Sequence, residues 1–177
     1  MSITLEAAPL TAAGFAPFGT VIQTDGARHY PINAGTTERY HRLAVAEALA
    51  ANDSPDSTTP EVIISLFEAR PYTLPAALWM LERHPLGSQA FMPLGDRPWI
   101  VVVGPAGETP APADLRAFVA RPDQGVNYAT GVWHHPLIAL EAPSQFLVVD
   151  RDGPGENCDE APLADDIRVT LPEHARP

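Results

Sequence analysis

A mainly β domain, a sandwich or barrel of many short strands with a few short helices, is the fold class this sequence predicts. Apolar runs of strand length recur along it: Phe18–Ile22, Val62–Phe67, Ala77–Leu81, Trp99–Val103, Leu137–Leu140 and Phe146–Val149. They are rich in Val, Ile, Leu, Phe and Trp, and turn residues bound them. Prolines at 9, 17, 60, 71, 75, 85, 93, 98 and 105 punctuate the first two-thirds, a spacing that long helices do not tolerate. The 177 residues suffice for one domain with a substantial core, and no repeat or linker divides them.

In chain order, Phe18–Ile22 reads as the first clear strand. The polar stretch Asn33–His41 reads as a solvated loop, although Arg39 offers a planar fork for a carboxylate and Asn33 an amide donor. Leu43–Ala51 is rich in Ala and Leu, and predicts either a helix or a strand end followed by a loop. Asn52–Pro60 is polar and rich in Pro, Ser and Thr, which predicts a mobile loop. After the strand Val62–Phe67 comes Ala77–Leu81, which runs on into Leu81–His84. An extended backbone there puts Glu82 and His84 on one face and Arg83 on the other. Pro85–Ser88 supplies a turn, and Gln89 and Phe91 begin a returning strand on a common face. Glu82, His84 and Gln89 are therefore expected to converge, a carboxylate beside an imidazole being a useful acid–base pair.

The run Trp99–Val103 predicts a buried strand. Pro112–Ala120 predicts a helix, with Pro at its start, Asp114 in the first turn, and Leu115, Phe118 and Val119 at helical spacing. In Gly131–His135 a strand would put Val132 and His134 on one face and Trp133 and His135 on the other, so one of the two histidines faces an interior. Asp150–Gly155 predicts a turn after the strand Phe146–Val149. Beyond about residue 150 the acidic composition predicts an irregular segment lying over the domain.

Composition excludes several function classes. The formal charge is −11 and every basic residue is Arg, so neither a nucleic-acid surface nor a lysine Schiff base is expected. The lone Cys158 excludes an intrachain disulfide and a cysteine-based zinc site. No signal peptide or membrane-spanning run is visible, and a cytoplasmic protein is expected. Glycine patterns for dinucleotides or phosphates are missing, as is a Gly-x-Ser-x-Gly elbow.

Several motifs carry a family resemblance: Phe15–Gly19, Ile32-Asn33, Glu38-Arg-Tyr-His41, Leu81–Phe91, Leu115–Phe118, Gln124–Tyr128, Val132–Leu137, Phe146–Arg151 and Asn157-Cys158. On these residues the chain resembles the bacterial ureidoglycolate lyases, formerly called hydrolases. The resemblance implies one cupin-type double-stranded β-barrel (jelly roll) over residues 1–177, a homodimer, and cleavage of ureidoglycolate to glyoxylate and urea in allantoin degradation.

The cupin pattern places Glu82, His84, Gln89 and Gly95 at the positions of its first motif, and Gly131–His134 in its second. It thereby makes His134 the inward histidine. On that frame the expected catalytic set is His84, His134 and Glu82, with Gln89, Arg39 and Asn33 binding substrate. Two usual metal ligands have changed character, His to Glu and Glu to Gln. Glu82, His84, Gln89 and His134 still offer a mixed oxygen and nitrogen site for a divalent ion, nickel by resemblance. A metal-free site, in which the same residues bind substrate, stays open beside it. So do two other functions: a metal-dependent cupin oxygenase or isomerase, and a non-catalytic cupin that binds a small carboxylate.

Overall fold

The computed structural model describes residues 2–51 and 59–173, excepting the side chains at 164 and 165. The expected loop at Asn52–Pro60 thus lies largely outside the described residues. The first third of the chain contains β1 (Ile3–Glu6), β2 (Ala8–Pro9), the one-turn helix α1 (Ala12–Phe15), β3 (Gly19–Ile22), β4 (His29–Ile32) and β5 (Thr37–Tyr40). The middle contains β6 (Glu61–Ala69), β7 (Ala76–Arg83), β8 (Gln89–Pro93), β9 (Trp99–Gly104), β10 (Arg116–Ala120) and β11 (Gly125–Tyr128). The last strands are β12 (Trp133–His134), β13 (Ile138–Ala139), β14 (Ser144–Asp152) and β15 (Asp159–Thr170).

The strands form two sheets that face each other as a double-stranded β-barrel. The larger runs β1-β15-β7-β12-β9-β10-β2, with β13 added beside β9; the smaller runs β3-β11-β8-β14-β6. A separate two-stranded ribbon consists of β4 and β5. One core fills the space between the sheets, with Phe91, Trp99, Val101, Phe118, Tyr128 and Phe146 in it. A second core, with Leu81, Ile100, Val102, Trp133 and Ile167, uses the opposite face of the larger sheet. Strand β9 is buried on both faces, its odd residues in one core and its even ones in the other. This explains why Trp99–Val103 reads as an unbroken apolar run rather than an alternating one.

Two expectations need correction, and one open choice is decided. Pro112–Ala120 is not a helix: Pro112–Asp114 forms one 3₁₀ turn and Arg116–Ala120 is β10. The full ladder of β10 on β9 satisfies its backbone, and Ala117 and Phe118 turn to opposite cores. That tertiary pairing outweighs the local helical spacing. Leu43–Ala51 forms no helix either. Its Leu49 N–H donates to the Leu86 carbonyl and Ala48 bridges Gly87, so the turn after β7 holds this segment extended. Finally, the C-terminal part is not irregular. Strand β14 continues through Asp152, and β15 is inserted between β1 and β7. Ile167, Val169 and Leu171 are buried and alternate with exposed Asp166 and Arg168, which is the period of a half-buried strand.

No helix among the described residues is long and apolar enough to cross a membrane.

Candidate active site

Register brings the chemistry together. On the larger sheet, His134 of β12 lies opposite Glu82 of β7 on one side and Val103 of β9 on the other. Val103 belongs to the core between the sheets, so the His134 side chain turns into that space. Gly131, at φ +76°, makes the tight turn that starts β12, and its N–H donates to the His84 carbonyl. That bond ties the two histidine-bearing segments at their backbones. His135 goes the other way and meets Tyr72 and Trp79 edge-on.

Glu82, His84 and His134 form a cluster whose potential ligand atoms all lie within 4.8 Å of one another. His134 is 2% exposed, and its Nε2 is 3.4 Å from Glu82 Oε1 but makes no hydrogen bond. Its Nδ1 lies 3.1 Å from the Val132 carbonyl, and the Tyr128 ring stacks on it at 4.2 Å between centroids, tilted by 13°. His84 Nδ1 lies 2.7 Å from the Asn157 carbonyl. A carbonyl only accepts, so each histidine donates from Nδ1 and leaves Nε2 for the site. The Asn157 side chain also accepts from the Leu86 N–H at 2.8 Å, which pins the segment holding His84.

Gln89 lies between His84 and Asp150. Its Oε1 is 3.1 Å from His84 Nε2, and its Nε2 donates to Asp150 Oδ2 at 3.4 Å. The carboxylate fixes the amide orientation, because a flipped amide would set oxygen against oxygen. Burial raises the Glu82 pKa, but the contact with His134 and the charges of His134, His84 and His135 outweigh it and hold the carboxyl below its usual range. Tyr128 is pushed well above the usual phenol range by burial, with the Glu82 charge adding to it. Burial lowers His135.

The donor set suits a divalent ion. Two imidazoles oriented by backbone carbonyls and one carboxylate bring their ligand atoms close together, and the Nε2 of His134 lacks a hydrogen-bond partner there. Metal-binding histidines are held in this way through their other nitrogen.

A cavity of about 320 Å³ opens beside this cluster. His84, Gln89, Asp150, Arg151, Glu156 and Cys158 are among its lining residues. Burial, with nearby Glu82, Glu160 and Asp159, raises the Cys158 thiol. Arg151 is not free to bind a ligand. Its guanidinium donates to the carbonyls of Leu49, Gly153 and Pro154.

Of the residues singled out in the sequence, the structure gathers Glu82, His84, Gln89 and His134. Arg39 and Asn33 lie apart from them, on the β4–β5 ribbon. Asn33 is at its tip with φ +52°, its amide 3.4 Å from Thr37 Oγ1. Three contributors were not assigned a role from sequence: Tyr128, Asp150 and Asn157. Alternation along β14 holds a signal for one, since Asp150 shares a face with the buried Phe146 and Val148.

A family model described as ureidoglycolate lyase matches residues 2–170. A ureidoglycolate lyase of Burkholderia mallei is 54% identical over 94% of both chains. One of Stutzerimonas stutzeri is 49% identical over 95% of both. Among solved structures, a dTDP sugar isomerase of Desulfovibrio desulfuricans G20 aligns with a TM-score of 0.41 at 21% identity, over 82% of this chain and 86% of that one.

Proposed function

The chain belongs to the ureidoglycolate lyase family, and from that membership and the gathered site we propose that it cleaves ureidoglycolate to glyoxylate and urea. The observation that carries the site assignment is the convergence of Glu82, His84 and His134.

Ureidoglycolate carries a carboxylate, a hydroxyl and a urea nitrogen on one carbon. Elimination requires a base for the hydroxyl proton. As that proton leaves, the carbon–oxygen bond becomes a carbonyl, the carbon–nitrogen bond breaks, and an acid protonates the departing nitrogen. Each positioned acid or base contributes about 10²- to 10⁴-fold.

The two histidines share these roles. His84 is held through Nδ1 by the Asn157 carbonyl and presents Nε2 beside Gln89, placed to exchange a proton with the substrate. His134 presents Nε2 to Glu82 with no hydrogen bond made, which suits a base whose protonated form the carboxylate stabilises. Gln89 holds the hydroxyl or ureido group, and Asp150 fixes its orientation.

As the alternative state of the same site, Glu82, His84, Gln89 and His134 would hold a divalent ion through the atoms that otherwise handle the proton, with nickel the candidate. When bound, such an ion supplies Lewis acidity toward a substrate oxygen. We place the reaction in the cytoplasm, where the single Cys158 stays reduced.

The test is urea and glyoxylate release from each ureidoglycolate enantiomer, with and without chelator. Stoichiometric release of both products from one enantiomer is expected. Ligand binding without urea release would mark a non-catalytic cupin instead.

A further inference from the structure

The cavity beside His84 has the wrong charge for an anionic substrate. Asp150, Asp152 and Glu156 line it, and among the described residues its one permanent cation, Arg151, already donates from each guanidinium nitrogen to a backbone carbonyl. A carboxylate entering it meets negative charge and no free guanidinium.

The β4–β5 ribbon has the opposite problem. It is a two-stranded sheet of its own, paired with neither barrel sheet. An isolated two-stranded ribbon is marginal in water, so it needs a surface to lie on. On one face, His29 Nδ1 meets Glu38 Oε1 at 2.5 Å, which engages the carboxylate of that side. On the other, Arg39 is in register with Tyr30, and the Arg28 guanidinium lies 5.8 Å from the Tyr30 ring centre. Two arginines flanking an aromatic ring make a carboxylate-binding face.

A third feature points to a partner. Strand β6 is an edge of the smaller sheet, and its outward residues Val62, Ile64 and Leu66 are 49%, 72% and 63% exposed. A long apolar edge strand is a template for pairing, which native proteins normally cover. One chain carries both the cationic ribbon and the acidic cavity, so a second copy matches it on both counts and can close the pair with two-fold symmetry.

We propose that the β4–β5 ribbon is an arm that completes the active site of a second copy of this chain, with Arg39 binding the substrate carboxylate in trans. This rests on the proposed lyase function for the identity of the anion, but not for the placement of the arm.

Two measurements test it. In the first, Arg39→Ala and His84→Asn subunits carrying different affinity tags are co-expressed, and the heterodimer is purified through both tags. Arg39→Ala alone should raise KM about 10- to 100-fold, the worth of a charge-assisted hydrogen bond. If the arm acts in trans, the heterodimer has one intact site and regains about half of wild-type turnover at low substrate. A heterodimer no better than its parents overturns the proposal.

The second measurement needs no activity. Arg39→Cys is treated with a short bismaleimide, with native Cys158 at the cavity as the acceptor. A covalent dimer that disappears in the Arg39→Cys/Cys158→Ser protein is expected. A monomer by light scattering, or cross-linking within one chain only, overturns the arm whatever the substrate proves to be. Cross-linking of the Arg39→Cys protein in this way, alongside wild-type protein that releases no urea, would overturn the lyase reading and leave the arm standing.

Discussion

Glu82 and His134 face each other in register across β7 and β12, and the carboxylate Oε1 lies 3.4 Å from the imidazole Nε2. The ladder sets their separation, not the reach of two flexible side chains. Neighbouring strands hold opposed side chains close, so the pair is positioned before substrate arrives.

His134→Asn and His84→Asn should each lower lyase turnover at least about 100-fold, since each removes a proton-transfer group. Both should remain folded by circular dichroism, because asparagine can still offer an amide to the neighbouring carbonyl. Near-normal turnover in both variants would sink the assignment.

The Glu82 carboxyl is held below its usual range, so the folded state binds its proton more weakly than the unfolded chain does. Its contribution to stability is full above the ordinary carboxylate range and is lost as pH falls through the lowered value. The Tm difference between wild type and Glu82→Gln should therefore be largest near neutrality and shrink in acid. A difference that grows toward low pH would show the sign to be wrong.

Tyr128 lies flat on His134, and such an aromatic pair is worth about 0.5–1.5 kcal/mol beyond its buried area. Tyr128→Phe keeps the ring and should keep kcat within a few-fold, whereas Tyr128→Leu should lower both Tm and kcat. Thermal melts and urea release separate the two variants. Equal kcat for Phe and Leu would mean the stack does not orient His134.

Nickel added to the protein should raise its Tm, by an amount equivalent to about 2.7 kcal/mol when the free ion is a hundredfold above its dissociation constant. Chelator should reverse the shift, and His84→Asn should abolish it. Gln89→Glu should tighten binding, because a carboxylate is a better ligand for a divalent ion than an amide oxygen. Elemental analysis and melting curves check this, and a Tm unmoved by any divalent ion would remove the metal from the site.

The strands with strong apolar runs were legible in the sequence, because β6, β7, β9 and β14 carry their own pattern. The turn Pro85–Ser88 and the alternation around His84 were enough to anticipate its meeting with Gln89. What local sequence misread was decided by pairing at a distance. The segment Arg116–Ala120 has helical spacing, yet β9 offers its whole ladder. Residues 159–170 look acidic and loose, yet their alternate residues fill the core beside β7. Asn157 acts through its backbone carbonyl, a role that any residue type can fill and that side-chain chemistry therefore does not announce.

The insertion of β15 between β1 and β7 has a consequence for how the protein is made. The strand bearing Glu82 has β15 as its ladder partner, in register at Glu160, and His84 leans on the carbonyl of Asn157. Both lie more than seventy residues downstream of the groups they support. A nascent chain that has exposed Glu82 and His84 to solvent still lacks the wall and the hydrogen bond that orient them. During synthesis the catalytic centre becomes competent only after residues 157–170 have emerged. A ribosome stalled before residues 157–170 emerge would carry an inert, open sheet with β7 as an unprotected edge.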